Sequence, residues 1–525
     1  MKNSFPFWIY LVALILRLIP VLLTRGLGIG LDDMFQYDML ARSLASGNGF
    51  RWYAQEDLKL LAPYVDFDLT TAKGYDPEYG LYTSFRAPLY PTFLAVVYFF
   101  SGTGFSRFFA ARVAQAIFLG APLAPLTYFT AKHLSSFVFP NEVKDKRGKK
   151  LERVAKTSAW IVACYPMLLV YPLGLGTENP FFVLLLASFL FLLKSVERPT
   201  IFHFLFSGIF LALTTLTRSV ILPFAGLAII FLIVIARSCE AATTLTLARS
   251  AGEQSPSQKW GLLRRGSRPP RNDGIIAGIV FIIVITPWVI RNSLLHNKLT
   301  GIETSMGYNL YLGYHPQGNG SFMFGPSLDL LTIMDDAERD EVGTQRAIEF
   351  IKEQPERFLP LAVNRLGFFF GLEKRVLMYF YSNDIIGYIS KPLLLTIAAI
   401  LLLPFVFISA SAMLGLSLLR WNPQTALLLL LFTFYLLPHV FILAEDRFHL
   451  ALIPFFAILA AQIWAEGFQA ISFRWHESNL GKWVVAFAIL GVCLLFLNWG
   501  LELSRDADKI ALLLGPNGNT SHFPY

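Results

Sequence analysis

The sequence predicts an all-α polytopic membrane protein, a bundle of about eleven transmembrane helices. Of its 525 residues, 55% are apolar and only 15% are charged, and the mean hydropathy is +0.53. A soluble domain carries about 25% charged residues, so this composition excludes a water-soluble globular protein. It also excludes a disordered chain, which needs low hydrophobicity and high charge. The apolar residues form long runs, and about 20 such residues cross a bilayer as a helix.

The apolar runs assign helices in chain order. The run at 7–23 carries Arg17 and is followed by no small-residue cleavage site, so we predict a retained first helix and not a signal peptide. The segment Pro88–Ser101 is too short to span and begins with Pro-Leu-Tyr-Pro, which indicates an interfacial or re-entrant helix. The predicted spans are 7–23, 108–131, 157–173, 179–194, 201–217, 219–236, 274–290, 388–418, 425–443, 449–468 and 483–500.

The charge of the connections predicts the orientation of these helices. The net charge of +8 favours basic cytoplasmic loops over nucleic-acid binding, and no nucleic-acid partner is expected. Segments 140–156 and 237–273 are rich in Lys and Arg, which predicts that they are cytoplasmic. We therefore expect one transmembrane domain, 1–500, in the plasma (inner) membrane. Its predicted extracytoplasmic parts are a first loop with juxtamembrane helices, a second large loop and a C-terminal tail, at 26–107, 291–387 and 501–525.

Polar residues that the apolar pattern does not explain gather at the predicted outer ends of helices. Ionisable groups near hydrocarbon are costly and tend to be functional. The acids could accept a proton, and the arginines could bind a phosphate through bidentate hydrogen bonds. Such a set suits a lipid-linked phosphate substrate. The residues are Asp32, Asp33, Glu178, Arg218, Arg291, Asn292, Glu445, Asp446, Arg447 and His449.

Six short motifs are spread in order over residues 5–465. They are Asp33-Met-Phe-Gln-Tyr37-Asp-Met-Leu-Ala41, Arg86-Ala-Pro-Leu-Tyr-Pro91, Thr177-Glu178, Gly208 to Arg218, Pro287-Trp288 and Arg291-Asn292 through Gly307-Tyr-Asn-Leu-Tyr-Leu-Gly313, and Arg447-Phe-His-Leu-Ala-Leu-Ile-Pro454. These motifs resemble those of C-type (GT-C) membrane glycosyltransferases. This group includes protein O-mannosyltransferases and the aminoarabinose transferase that modifies lipid A. The sequence departs from the family pattern at Ala87 and Ala451, where many members have proline.

The resemblance implies inverting sugar transfer from a polyprenyl-phosphate donor to a lipid, glycan or protein hydroxyl, at the extracytoplasmic membrane face. It implies that Asp33 is the catalytic base, with Asp32 as the alternative, and that Glu178 is a second acidic group of the site. The donor phosphate is expected at Arg218, Arg291 and Arg447. Substrate contacts are expected at Tyr37, Arg86, Asn292, Asn309 and His449. We expect no cofactor, although Asp33 and Glu178 could share a divalent cation, as in oligosaccharyltransferases.

Several of these residues also fit structural roles. Asp33 could simply cap a helix that begins near Met34, and Glu178 could cap the helix that follows it. The three arginines could anchor the protein at the level of the lipid headgroups, and His449 could be an interfacial hydrogen-bonding residue. The alternative function is a secondary transporter or a flippase of lipid-linked glycans. That function would need charged residues near the bilayer midplane and broken helices in matching halves.

Overall fold

The chain folds into a helical bundle with two long polar segments. The computed structural model describes residues 4–67, 69, 72, 74–134, 144–235, 273–382 and 387–520. Eight helices of this part of the chain are long and apolar enough to cross a membrane, or nine if two helices joined at a bend form one span. The predicted fold class, an all-α polytopic membrane protein, is confirmed. Residues 140–143 and 237–272, which belong to the predicted cytoplasmic segments, lie outside the described residues.

Helices form at every predicted span. The predicted span 157–173 is bent by 54° between Gly148–Cys164 and Pro166–Leu173, because Pro166 has no N–H with which to continue the helix. The predicted spans 201–217 and 219–236 are the shorter helices Ile201–Thr215 and Ser219–Ile235. The eight long helices are Phe5–Leu23, Ser106–Leu134, Glu178–Glu197, Gly274–His296, Lys391–Leu416, Pro423–Phe441, Asp446–Glu466 and Asn479–Arg505.

The core lies around Glu178–Glu197 and Asp446–Glu466, the most deeply buried of the long helices. Arg17 in the first span is fully buried, and its hydrogen bonds explain how a charge is tolerated there. Its guanidinium donates to the carbonyls of Val162 at 3.1 Å and Ala163 at 3.2 Å, at the end of the helix before the bend. The last carbonyls of a helix have no intrahelical partner, so Arg17 satisfies them and joins the first span to the broken one.

The first polar segment follows the first span. Its short strands Arg51–Trp52 and Leu81–Tyr82 pair antiparallel, with Arg51 opposite Tyr82. The helix Leu89–Ser101 has 13 residues and is therefore about 20 Å long, whereas a bilayer core is about 30 Å thick. It is too short to cross, as predicted. The other helices of this segment are Asp33–Ala45 and Gln55–Leu61.

The second polar segment packs against the first. The buried carboxylate of Asp336 accepts hydrogen bonds from the Thr83 hydroxyl at 2.5 Å and from the Ser84 N–H at 2.7 Å. Arg339 lies 3.2 Å from the same carboxylate, so its charge is compensated. The two polar segments therefore lie at the same end of the bundle. The helices of the second segment are Met306–Tyr314, Phe324–Leu331, Asp336–Glu353, Phe358–Phe369 and Arg375–Ser382.

The remaining elements of the fold are short. The span Ser106–Leu134 contains a π-helical turn, Ala116–Gly120, between its two α-helical parts. The remaining short helices and 3-10 turns are Pro166–Val170, Tyr171–Leu173, Ser219–Ile221, Pro355–Arg357, Asp446–Leu452, Gln469–Glu477 and Ala507–Leu513.

Candidate active site

Charged residues from distant parts of the chain meet at the end of the bundle that carries the polar segments. We call them the charge cluster and define it as Asp33, Arg86, Glu178, Arg218, Arg375, Glu445 and Arg447. The acids and the arginines alternate in space, so that each carboxylate faces at least one guanidinium within 4 Å.

Asp32 and Asp33 have different environments although they are neighbours. Asp32 is the N-cap of the helix Asp33–Ala45, and its Oδ1 accepts the N–H of Met34 at 2.9 Å. Because Asp32 caps the helix, the side chain of Asp33 is left to face the cluster. There it forms an ion pair with Arg86 and lies 3.7 Å from Nη2 of Arg447. Its side chain is 42% exposed, so a reactant can reach it.

The two guanidiniums keep Asp33 ionised. Burial alone would raise the pKa of Asp33, but the charges of Arg86 and Arg447 outweigh it and lower the pKa below its ordinary value. The pKa of Arg86 is raised although burial opposes this, chiefly by Asp33. At neutral pH the pair is therefore a carboxylate and a guanidinium.

Arg86 is held in place by the first polar segment. Its Nε and Nη2 donate to the side-chain oxygen of Gln36 at 2.8 and 2.7 Å. Its guanidinium lies 5.3 Å from the ring centroid of Tyr37, which is buried and meets the ring of Tyr90 edge-on at 5.2 Å. Tyr37 therefore supports Arg86, which in turn orients Asp33.

Glu178 is the first residue of the helix Glu178–Glu197 and is only 7% exposed. Its Oε1 lies 2.8 Å from Nη1 of Arg218 and 3.6 Å from Nε of Arg447. The turn before it leaves no spare room, because a Cβ atom on Gly176 would lie 2.7 Å from Glu178 Oε2. Arg218 is braced from the other side by the ring of Phe448, 5.0 Å from its guanidinium.

Arg447 is the centre of the cluster. It lies in the 3-10 turn Asp446–Leu452, and its Nε is 2.7 Å from Oε2 of Glu445. Since it also faces Asp33 and Glu178, it joins three acids from three parts of the chain. Its side chain is nevertheless 27% exposed, which leaves part of the guanidinium open.

Arg375 is a member of the cluster that the sequence analysis missed, and Glu445 is one that it placed in the polar set without a role in the site. Arg375 Nη1 lies 3.2 Å from Glu445, and its Nε lies 3.6 Å from Asp446. Glu445 raises the pKa of Arg375, and the pKa of Glu445 is lowered, because Arg375 and Arg447 outweigh the effect of burial. At 39% exposure, Arg375 is more accessible than Arg447. The run Glu373-Lys374-Arg375 between two apolar helices was the available signal.

Arg291 and Asn292 do not join the cluster. Arg291 Nη1 donates to the Thr83 carbonyl at 2.5 Å, and its guanidinium lies 4.8 Å from the ring centroid of Trp288. The Asn292 amide is buried and donates to the carbonyls of Gly301 and Ile302 at 2.9 and 3.0 Å. Both side chains tie the end of the span Gly274–His296 to the polar segments.

Asn309 and His449 are not members of the charge cluster as defined above. Asn309 is half-buried in the helix Met306–Tyr314. His449 is fully buried, with Nδ1 2.7 Å from the Phe369 carbonyl and Nε2 2.9 Å from Glu373. His449 lies two residues after Arg447 and links the turn that contains both residues to the segment that carries Arg375. His449 therefore has a positioning role.

The carboxylates do not fit a shared divalent cation. Arg447 faces both Asp33 and Glu178, and Arg86 and Arg218 occupy further sides of these two carboxylates. A cation between them would be repelled by guanidiniums that stay charged at every physiological pH. Within the described part of the chain, no group of three or more His, Cys, Asp or Glu residues is arranged to hold a metal ion.

Comparison with known proteins gives structural neighbours only. No family model matches the chain, and no curated protein sequence matches it. The crystal structure of the Archaeoglobus fulgidus oligosaccharyltransferase in complex with zinc and sulfate aligns with a TM-score of 0.39 and 15% identity, over 99% of this chain and 59% of its own. The structure of ArnT from Cupriavidus metallidurans bound to undecaprenyl phosphate aligns with a TM-score of 0.34 and 13% identity, over 90% of this chain and 79% of its own.

Both neighbours are GT-C glycosyltransferases, the group that the sequence motifs resemble. The chain spans 59% of the length of the oligosaccharyltransferase. Both TM-scores lie below 0.5, so neither alignment carries information about the function of this chain.

Proposed function

We propose that the protein is an inverting membrane glycosyltransferase that moves a sugar from a polyprenyl-phosphate donor to a hydroxyl acceptor at the extracytoplasmic face. The observation that carries the proposal is Asp33, an accessible carboxylate held by Arg86 and Arg447 in a cluster of acids and arginines. A carboxylate beside phosphate-binding cations is what a single displacement at an anomeric carbon requires.

In this reaction Asp33 is the general base. The acceptor oxygen forms a bond to the anomeric carbon while the bond from that carbon to the phosphate oxygen breaks. The hydroxyl proton passes to Asp33, and the bonding electron pair leaves with the phosphate. Attack from the side opposite the phosphate inverts the anomeric configuration. The lowered pKa of Asp33 keeps it unprotonated, which a base requires at neutral pH.

The departing phosphate gains negative charge, so cations stabilise it more than a proton donor would. Arg447 and Arg375 are suited to this because they are partly exposed and are held in place by Glu445, which both of them face. A guanidinium has five N–H donors, so one edge can bind a carboxylate while another binds phosphate. Glu178 would accept hydrogen bonds from hydroxyls of the sugar or the acceptor, and Arg218 would hold it in place.

The test is to replace Asp33 with Asn. Membranes that contain the variant are incubated with labelled polyprenyl-phosphate sugars, and transfer to endogenous acceptors is measured. General-base catalysis contributes about 10²–10⁴-fold, so we expect a loss of that size with normal membrane insertion. The matched control is Asp32→Asn, because Asn is as good a helix cap as Asp and this variant should retain activity. Full activity of Asp33→Asn would refute the proposal, and loss only in Asp32→Asn would refute the choice of base.

A transporter or flippase is less well supported. The charge cluster lies at helix ends on one side of the bundle, whereas a transporter needs its charged site near the midplane. Arg17 is charged within a span, but its two terminal nitrogens donate to Val162, Ala163 and its own helix. Sealed vesicles with labelled donor distinguish the two functions, since a flippase moves the donor across the bilayer without forming a glycosylated product.

A further inference from the structure

A second polar site lies beside the charge cluster. A cavity of about 370 Å³ opens between the loop 298–304 and the helix Asp336–Glu353 in the second polar segment. Small-molecule sites have volumes of about 300–1,000 Å³, so this cavity is large enough for a ligand of the size of one sugar unit. None of the cluster residues lines this cavity.

One wall of the cavity touches the segments that carry two of the cluster arginines. Glu303 Oε1 accepts the backbone N–H of Ser219 at 3.2 Å, and Ser219 follows Arg218 directly. The Thr304 N–H donates to the Ser84 carbonyl at 3.0 Å, two residues before Arg86. The cavity is therefore adjacent to the reaction site and rigidly joined to it.

The charge of the lining is opposite to what a phosphate needs. Three acidic residues, Glu303, Asp340 and Glu341, line the cavity together with one basic residue, Lys298, whose Nζ lies 3.1 Å from Glu341. The lining also offers hydroxyl and amide groups, such as those of Thr300 and Gln345. Carboxylates and amides form hydrogen bonds with neutral hydroxyl and amide groups, and the carboxylates repel anions. The charge cluster would take the donor phosphate, so this cavity is suited to the other substrate.

We propose that the cavity is an acceptor subsite that binds a neutral or amine-bearing sugar unit and excludes phosphorylated sugars. Its assignment to the acceptor rests on the proposed function, whereas binding of the sugar can be measured alone. It implies that the acceptor is a glycan or a glycolipid whose nearest sugar carries no phosphate.

The test uses saturation-transfer NMR on the purified full-length protein in detergent, with N-acetylglucosamine and N-acetylglucosamine 6-phosphate as probes. We expect several-fold stronger transfer to the unphosphorylated sugar. Gly301 lines the cavity and a Cβ there meets no atom within 4 Å, so Gly301→Phe places a ring at the cavity and should abolish the signal. Gly325 also has open space but does not line the cavity, and Gly325→Phe should keep the signal.

A second variant tests the charge. Glu341→Lys brings the lining from three acids and one base to two of each and should let the phosphorylated sugar bind, even if Gly301→Phe fails to fold. An unchanged signal in folded Gly301→Phe, or equal signals from both sugars in the unaltered protein, would overturn the inference. Asp33→Asn should lose sugar transfer and keep the NMR signal. Retained transfer in that variant would refute the proposed function and leave the binding result intact.

Discussion

Replacement of Gly176 by Ala should impair sugar transfer without unfolding the protein. A Cβ at this position would lie 2.7 Å from Glu178 Oε2, whereas ordinary contacts begin at 3.4 Å. The carboxylate must therefore move by about 0.7 Å, which carries Glu178 Oε1 away from its 2.8 Å contact with Arg218. A misplacement of about 1 Å in a catalytic site can cost about 100-fold in rate. We expect kcat/KM to fall about 10- to 100-fold, or about 1.4–2.7 kcal/mol of transition-state stabilisation.

Gly174→Ala is the matched control for this prediction. Gly174 lies in the same turn, and its nearest contact for an added Cβ is the Tyr171 carbonyl at 3.7 Å. Both substitutions reduce the freedom of the unfolded chain by the same amount, so this effect cancels in the comparison. The assay measures initial rates of transfer by the purified variants, with thermal unfolding as the test of folding. Equal kcat/KM for the two alanine variants would refute the role given to the Glu178 carboxylate.

Three further predictions follow from the cluster. Because the pKa of Asp33 is lowered, kcat/KM should fall on the acid side only below about pH 4, the ordinary pKa range of an Asp. Arg86→Gln removes the main charge that lowers this pKa and should move the fall to higher pH. An unchanged pH profile in this variant would contradict the pairing of Asp33 with Arg86. Arg375→Gln should raise the KM for the donor about tenfold or more. Lys374→Gln is the control and should leave this KM unchanged, because Lys374 pairs with Glu502 and Asp506. Equal KM values for the two variants would exclude Arg375 from phosphate binding. Treatment with EDTA should leave the initial rate of sugar transfer unchanged, because Arg447 lies against both Asp33 and Glu178, where a shared divalent cation would bind. A loss of rate that a divalent cation restores would contradict this prediction.

The helices could be predicted because the bilayer requires long apolar runs, and such runs are visible in a sequence. The bend at Pro166 was less visible. The predicted span 157–173 is mostly apolar, and only the geometry shows that Arg17 from another helix satisfies the carbonyls freed there. A contact between residues about 150 positions apart leaves no periodic signal in the sequence.

In the predicted orientation, the positive-inside rule fails locally at Arg107 and Arg112, and their contacts give a reason. Arg107 and Arg112 lie at the start of a span on the predicted outer side. Arg107 is paired with Asp38 at 2.7 Å, and Arg112 donates to the carbonyls of Gly28 and Leu173 at 2.6 and 2.8 Å. These charges bind the protein itself and not the lipid surface, so they carry no information about orientation.

The candidate site could be predicted where residues lie at helix ends and match short motifs, as Asp33, Glu178 and Arg447 do. Arg375 could not, because it lies in a polar segment where arginine is common and its partner Glu445 is 70 positions away. Arg291 has the same sequence signal as Arg447, yet the structure binds it to the Thr83 carbonyl. A position at a helix end identifies a residue as a candidate for the site, and its tertiary contacts show whether it belongs to the charge cluster.

The arrangement around Arg447 has a consequence for biosynthesis. Asp33 and Glu178 enter the membrane early in translation, while their shared counter-ion is encoded far along the chain. Until the helix that begins at Asp446 is inserted, the charge cluster lacks the cation that Asp33 and Glu178 share. On the proposed function, we therefore expect a polypeptide truncated before Arg447 to bind the donor phosphate weakly and to transfer no sugar.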